Sequence, residues 1–189
     1  MSWPKRIAYL SDSVIPSRLA NSVHVMRMSQ AFAEAGVDVT LFARRGYGSE
    51  IEHFRTYGVG KKFILRYVPD FFSFWPTLWN AIYSVFTAHR METDLLYTRS
   101  IYTLALSTLI KAPIVIEFHS KLGTHESLKS ALIRQAISRG VLRGIIVISE
   151  PLRFYYVSVL GVSKKNIIML DRKGVIHRGR KDLNQWNLF

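Results

Sequence analysis

Apolar and polar positions alternate with two different periods along the first 45 residues of the chain. Residues 7–12 (IAYLSD) and 38–43 (DVTLFA) are apolar runs of the kind found in buried strands. Between them, Val25 and Phe32 lie on one helical face, and the pattern predicts a helix over residues 22–35. A crossover of this length holds one helix, so the two strands that it joins are expected to be parallel.

Both ends of this predicted helix carry terminal signals. Asn21 or Ser22 is expected to cap its start, because a side-chain oxygen there can accept a hydrogen bond from an otherwise unpaired backbone N–H. Gly36 suits the left-handed conformation that ends many helices. His24 falls opposite the apolar face, and we expect it to face water.

The same alternation continues to residue 170. Further strands are predicted at residues 62–68, 94–98, 114–118, 144–149 and 165–170. Further helices are predicted at residues 75–89, 101–110, 127–142 and 152–160, and residues 49–60 form a loop or a short helix. We therefore expect one α/β domain over residues 1–170, with a doubly wound, mostly parallel, Rossmann-like sheet. Residues 171–189 are predicted to be a poorly ordered basic tail or a piece of an interdomain segment.

The most apolar stretch, residues 71–88, is dense in aromatic side chains. It contains Pro76 and Asn80 and is short for a bilayer span of about 20 residues, so we do not expect it to cross a membrane. One hypothesis makes it a helix that packs into the core. The other makes it an element at a lipid interface, with its aromatic rings at headgroup depth.

The chain is strongly basic and has no cysteine. Its formal net charge of +13 favours anionic partners such as phosphates, nucleotides, acidic lipids or nucleic acid. Disulfides and thiolate metal sites are excluded, and no secretory signal is recognisable. These features are compatible with a cytoplasmic protein, with peripheral contact to the inner face of the membrane as a further hypothesis.

Most familiar phosphate and metal motifs are missing. The sequence has neither a P-loop nor a complete dinucleotide fingerprint. The six histidines are dispersed along the chain, so no metal site is expected. A complete small nucleotide-binding enzyme is therefore disfavoured.

Polar side chains collect where the predicted strands end. They are Ser11, Asp12, Arg44, Arg45, Arg99, His119, Ser120, Ser149 and Glu150. In a parallel sheet these ends meet at one edge, where ligands bind. The arginines and the start of the first helix favour a phosphate-bearing ligand there. His119 is the strongest functional candidate. The alternative is a structural role, in which its ring is hydrogen-bonded to a neighbouring carbonyl. For Glu117 we favour an internal ion pair with Arg99.

Several of these segments resemble the amino-terminal domain of GT-B glycosyltransferases of family 4. The segment GVDVTL at residues 36–41 is similar to the family pattern G-H-x-V-T-L, with Val37 where the histidine usually stands. DLLYTRS, APIVIEFHS and the stretch at residues 144–170 resemble the next family segments in the same order. The resemblance covers about residues 5–170.

The resemblance implies a role for each candidate site residue. His119 matches the histidine that faces the transferred sugar and is the expected catalytic residue. The expected substrate-binding residues are Asn21, Ser22, Arg99, Ser149 and Glu150. No E-x7-E motif of the donor-binding domain is present. The chain is accordingly expected to lack the carboxyl-terminal donor domain and to be inactive alone.

The sequence leaves two function classes open. The first is the acceptor-binding half of a glycosyltransferase that moves a sugar from a UDP- or GDP-linked donor to a cell-envelope or polysaccharide acceptor. The expected partner is a sugar or a lipid-linked acceptor, and no other cofactor is expected. A homodimer through the surface that the missing domain would otherwise cover is one hypothesis. The alternative is a non-enzymatic basic module for an anionic membrane surface, with nucleic acid as the less favoured ligand.

Overall fold

The structure is a computed structural model that describes residues 4–71, 74–122, 128–158, 160, 162–170 and 176–177. The strands are β1 (Arg6–Ile15), β2 (Asp38–Arg45), β3 (Ile64–Val68), β4 (Leu95–Thr98), β5 (Ile114–Phe118), β6 (Leu142–Val147), β7 (Ile167–Leu170) and β8 (Ile176–His177). The helices are α1 (Ala20–Glu34), α2 (Glu50–Tyr57), α3 (Pro76–Arg90), α4 (Ile101–Ile110), α5 (Leu128–Ser138) and α6 (Glu150–Ser158), and Lys164–Asn166 form a short 3₁₀ turn.

The strands form one sheet in the order β3-β2-β1-β4-β5-β6-β7-β8. All neighbouring pairs are parallel except β7 and β8, which are antiparallel. The winding direction reverses between β1 and β4, so the carboxyl ends of these two strands flank the crevice in which α/β sheets bind ligands. The predicted doubly wound, mostly parallel sheet is confirmed.

Helices cover both faces of the sheet and create two apolar cores. The core under α1 and α2 contains Tyr9, Met26, Leu41, Phe54 and Tyr97, among others. The core under α3 to α6 contains Leu10, Phe42, Val85, Leu104, Ile133 and Tyr156, among others. Alternate residues of one strand, such as Tyr9 and Leu10, enter opposite cores because strand side chains alternate between faces.

The predicted capping of α1 is wrong at its start and right at its end. The helix begins earlier than expected, at Ala20, and its N-cap is Leu19, which makes no side-chain cap. Asn21 and Ser22 therefore lie inside the first turn, and their side chains are used elsewhere. Gly36 has a φ of 84°, the left-handed value that its position requires.

The uncertain stretch at residues 49–60 contains a well-capped helix, α2. Ser49 and Glu52 form a capping box, in which each side chain bonds the backbone N–H of the other. Gly58 ends the helix with a φ of 62°.

The predicted helix over residues 127–142 is too long at its carboxyl end. Helix α5 stops at Ser138, Gly140 has a φ of 66°, and Leu142 already pairs with Ile114 in the sheet. Leu142 is apolar and fits either pattern, so periodicity alone extends the helix into β6. Residue 127 lies outside the described residues.

The aromatic stretch combines features of both hypotheses made for it. Helix α3 buries one face, with Ala81, Val85 and Ala88 in the core, whereas Phe74 is 89% exposed just before the helix begins. Among the described helices, none is both long and apolar enough to span a bilayer. The predicted basic tail at residues 171–189 lies outside the described residues, apart from the β8 strand.

Candidate functional site

Side chains of helix α1 contact residues at the carboxyl ends of β1, β4 and β5. Its residue Asn21 accepts a hydrogen bond from the guanidinium of Arg99, which follows β4. The Asn21 side chain also donates to Ser13 Oγ at 2.6 Å. Asn21 thus connects the end of β1 to the end of β4, at the reversal of the winding.

One turn further along α1, His24 reaches the end of β5. Its Nε2 lies 3.3 Å from Glu117 Oε2, and the Nε2 of His119 donates to the other carboxylate oxygen, Oε1. The phenol of Tyr97, on the adjacent strand β4, donates to Oε2 at 2.5 Å. Glu117 therefore accepts from three side chains that come from α1, β4 and the loop after β5.

The carboxylate of Glu117 is buried and ionised. Its side chain is inaccessible to solvent, and such burial by itself raises the pKa of a carboxyl group. Hydrogen bonds from His119, His24 and Tyr97 outweigh burial and hold the pKa of Glu117 well below its ordinary value. The residue shares one cluster with two histidines whose side chains are 29% and 34% exposed.

The ionised carboxylate fixes which ring nitrogens of the two histidines carry a proton. A carboxylate only accepts hydrogen bonds, so His24 and His119 must donate from Nε2. The Nδ1 of His119 has no partner among the described residues, and it is the atom left to exchange a proton or hydrogen bond with a ligand. The Glu117–His119 pair therefore presents an oriented imidazole at the sheet edge.

Two buried tyrosines support the carboxylate from below. The rings of Tyr9 and Tyr97 pack edge to face with centroids 4.7 Å apart, and burial raises the pKa of both phenols well above 10.0. The hydroxyl of Tyr97 is used by Glu117. The hydroxyl of Tyr9 is buried without a hydrogen-bond partner in the described part of the chain.

The cluster also offers the donor atoms of a metal site. The ligand atoms of His24, Glu117 and His119 all lie within 4.8 Å of one another. Two histidines and one carboxylate are a donor set that binds zinc in enzymes. In this structure the Nε2 atoms of both histidines donate to Glu117, so a cation could bind there only after displacing these two protons.

Three sequence-based expectations about this region are wrong. Glu117 pairs with the two histidines and not with Arg99, which bonds Asn21 instead. The histidines are not all dispersed, because the rings of His24 and His119 lie 5.8 Å apart. His24 does not face water as the helical pattern predicts, since its side chain is only 29% exposed and its ring lies against Glu117 and His119.

The other predicted site residues lie on the same edge, and no described contact joins them to the cluster. Ser22 is buried, and its hydroxyl donates to the carbonyl of Val14. Arg153 of α6 donates from its guanidinium to the Glu150 carboxylate and from its backbone N–H to the Ser149 carbonyl. The roles predicted for these three residues remain predictions.

A cavity lies at the same edge of the sheet, at the ends of β2 and β3. The cavity measures about 290 Å³ and is lined by two of the predicted strand-end residues, Arg44 and Arg45, together with residues from the start of α3.

Comparison with known proteins identifies the family of this chain. Residues 22–172, most of the sequence, match the family model described as Glycosyltransferase Family 4. The chain belongs to Glycosyltransferase Family 4. The predicted resemblance is therefore confirmed.

Solved glycosyltransferase structures share the fold of this family 4 chain. A glycosyltransferase from Rickettsia africae ESF-5 superposes with a TM-score of 0.58 at 14% identity, covering 89% of this chain and 43% of that one. Anabaena HepE in complex with UDP and glucose superposes with a TM-score of 0.55 at 14% identity, covering 88% of this chain and 44% of that one. A shorter sucrose-phosphate synthase chain from Thermosynechococcus elongatus superposes with a TM-score of 0.52 at 16% identity, covering 88% of this chain and 87% of that one.

The family 4 chain thus spans less than half the length of the first two structures. At these identities the likeness establishes the fold alone. Among curated proteins, a 26-residue stretch is 65% identical to part of an NADP-dependent malic enzyme from Halomonas elongata. That stretch is 14% of this chain and 6% of the enzyme, so it carries no functional argument.

Proposed function

We propose that this chain is the acceptor-binding half of a glycosyltransferase, which passes a sugar from a nucleotide-sugar to a saccharide acceptor. The observation that carries the proposal is the cluster around Glu117, which holds the His119 imidazole at the strand-end crevice of a family 4 fold.

In this proposal His119 is the catalytic residue. With Nε2 bonded to Glu117, its Nδ1 can accept from or donate to a hydroxyl of the reacting sugars. Glu117, His24 and Tyr97 act as positioning residues that fix the orientation and tautomer of the His119 ring. Arg99, held by Asn21, contributes a positive charge beside the phosphates of the donor.

The donor is expected to bind mainly to a second domain, and the acceptor to this one. The rim formed by Ser149 and Glu150, at the start of α6, would face the donor across the cleft. Closure of the two domains would orient the reactants and exclude water. The isolated chain is accordingly proposed to bind saccharide weakly and to transfer no sugar.

Isothermal titration of the chain with UDP- and GDP-sugars tests this division of labour. We expect no binding tighter than about 1 mM, which corresponds to roughly 4 kcal/mol. Micromolar binding of a nucleotide-sugar, or sugar transfer by the chain alone, would contradict the acceptor-half proposal.

Contact with an anionic membrane surface is a second proposal, favoured by a cluster of exposed rings. Phe71, Phe74 and Trp75 are 75%, 89% and 64% exposed, and they precede α3 on a chain of net charge +13. Aromatic rings beside basic residues are typical of interfacial elements. Peripheral binding at the inner face of the cytoplasmic membrane would bring lipid-linked acceptors to the site.

Vesicle sedimentation tests the membrane proposal. Binding to vesicles rich in anionic lipid should fall in a Phe74→Ser, Trp75→Ser double variant. It should not fall in Phe154→Ser, which removes a 72% exposed ring from α6. Equal binding by both variants would refute the assignment of the exposed rings. A preference for nucleic acid over vesicles would favour the basic-module alternative instead.

A further inference from the structure

The cavity at the ends of β2 and β3 is a second candidate site, separate from the Glu117 cluster. Its volume is about 290 Å³. The lining includes two cations, one carboxylate and one indole, from Arg44, Arg45, Asp70 and Trp79. This combination is suited to a ligand that carries an anionic group and hydroxyls together.

The two arginines of the cavity make no ion pair within the described part of the chain. No carboxylate there lies within ion-pair distance of Arg44 or Arg45. The Arg45 guanidinium lies 5.3 Å from the centre of the Tyr67 ring, which leaves the edge of the fork open for hydrogen bonds. Two guanidinium groups of this kind that line one cavity are a typical arrangement for binding a phosphate.

The walls of the cavity are held rigidly by hydrogen bonds. Tyr67 bonds the buried ring of His53, whose other nitrogen lies 2.8 Å from the carbonyl of Tyr47. Elsewhere in the lining, Trp79 Nε1 donates to the carbonyl of Pro69 at 2.7 Å. The site is therefore shaped before a ligand arrives, which lowers the entropic cost of binding.

The cavity is connected to the candidate active site through the end of β1. Asn80, which lines the cavity, donates to the carbonyl of Ser11 at 2.9 Å. The Ser11 hydroxyl donates to Ser13 Oγ, which also accepts from Asn21 beside Arg99. Along the edge of the sheet, strand β2 is three inter-strand steps from β5, which is about 14 Å between the two strand axes at the usual spacing. A short oligosaccharide covers such a span.

We propose that this cavity binds a phosphate group on the acceptor, through Arg44 and Arg45, while a sugar hydroxyl of the same acceptor lies at His119. The inference rests on the proposed function and adds the chemical class of the acceptor to it: a phosphorylated saccharide. Asp70 accepts from hydroxyls of the sugar next to the phosphate, and Trp79 supplies an apolar wall. Both a soluble sugar phosphate and a lipid-linked one present this chemistry.

The test follows backbone amide signals of the full chain by NMR during titration. The soluble probe is glucose 1-phosphate, the uncharged control is glucose, and the lipid probe is vesicles that contain phosphatidic acid. Arg44→Gln is compared with Arg134→Gln, which removes the same charge from an exposed position on α5. The spectra themselves report whether each variant is folded.

We expect glucose 1-phosphate to shift amides of the cavity residues, and glucose to leave them unchanged. The affinity should fall about tenfold or more in Arg44→Gln, which is roughly 1.4 kcal/mol, and should be retained in Arg134→Gln. Competition by the vesicles that persists in the Phe74→Ser, Trp75→Ser double variant would assign the site to a lipid-linked phosphate, and failure to compete would assign it to a soluble one.

The proposal is overturned if neither phosphate probe shifts the cavity amides, or if both variants bind equally well. This failure is distinguishable from failure of the proposed function. Saccharide-induced shifts at His119 without shifts at the cavity remove the phosphate site alone, whereas the absence of saccharide effects at both places removes the acceptor-half proposal.

Discussion

The two stacked tyrosines beneath Glu117 allow the same substitution to be made in two opposite hydrogen-bonding situations. Tyr97→Phe removes the hydroxyl that donates to the buried Glu117 carboxylate at 2.5 Å. Tyr9→Phe removes a buried hydroxyl without a partner among the described residues. Both rings are almost fully buried, and each substitution deletes one oxygen atom and leaves the ring in place.

The expected changes in the free energy of unfolding differ in sign. A hydrogen bond to a charged group contributes about 1.5–3 kcal/mol, so Tyr97→Phe should lower stability by about 2 kcal/mol. A buried, unpaired hydroxyl costs roughly 1–3 kcal/mol, so Tyr9→Phe should be neutral or should raise stability. The difference between the two variants is therefore expected to be at least about 2 kcal/mol.

Urea unfolding followed by tryptophan fluorescence measures this difference. With a slope of about 2 kcal/mol per molar urea, the midpoint of Tyr97→Phe should fall by roughly 1 M. The midpoint of Tyr9→Phe should stay or rise, with an unchanged slope. If Tyr9→Phe lowers the midpoint as much as Tyr97→Phe does, the hydrogen-bond account of the cluster is wrong.

Three further predictions concern single residues. The pKa of Glu117 is lower in the folded state than in the unfolded chain. The ionised Glu117 therefore stabilises the fold at pH values above its unfolded-state pKa of 4.5, and this contribution is lost as the pH falls through the folded-state pKa. Glu117→Gln should thus be less stable than wild type at neutral pH and lose less stability on acidification; parallel curves of stability against pH would contradict this. His24→Ala should lower the free energy of unfolding by about 1–2 kcal/mol, whereas the control Arg27→Ala, at an exposed position on the same helix, should lower it by under about 0.5 kcal/mol. Equal losses of stability in thermal unfolding would refute the buried role of His24. Ser49→Ala should cost about 1 kcal/mol through the capping box, and an unchanged urea midpoint would argue against that cap.

The order of strands and helices is predictable because local pattern and topology agree. Apolar runs separated by single amphipathic helices require a parallel sheet, and this requirement alone places Arg99 and His119 at one edge. The boundary between α5 and β6 is not predictable in the same way, because Leu142 fits a helical face and a strand equally well. Only the left-handed Gly140 and the pairing with Ile114 decide it.

The partners of Glu117 could not be derived from the sequence. Helical periodicity assigns a residue to a face, but it does not say which strands the margin of that face covers. His24 lies at such a margin, its ring reaches Glu117 in β5, and it takes the place that Arg99 was expected to fill. Its spacing of three residues from Asn21 was the available signal, because such residues share one side of a helix.

The imidazole signals of His119 and His24 during a saccharide titration test the central claim most directly. A panel of neutral monosaccharides and disaccharides should include ligands that shift both rings, and His119→Ala should abolish the effect on His24. UDP-glucose should leave both rings unchanged at the same concentrations. Ring shifts caused by the nucleotide-sugar alone, with no response to any saccharide, would contradict the proposal that this chain is an acceptor-binding half.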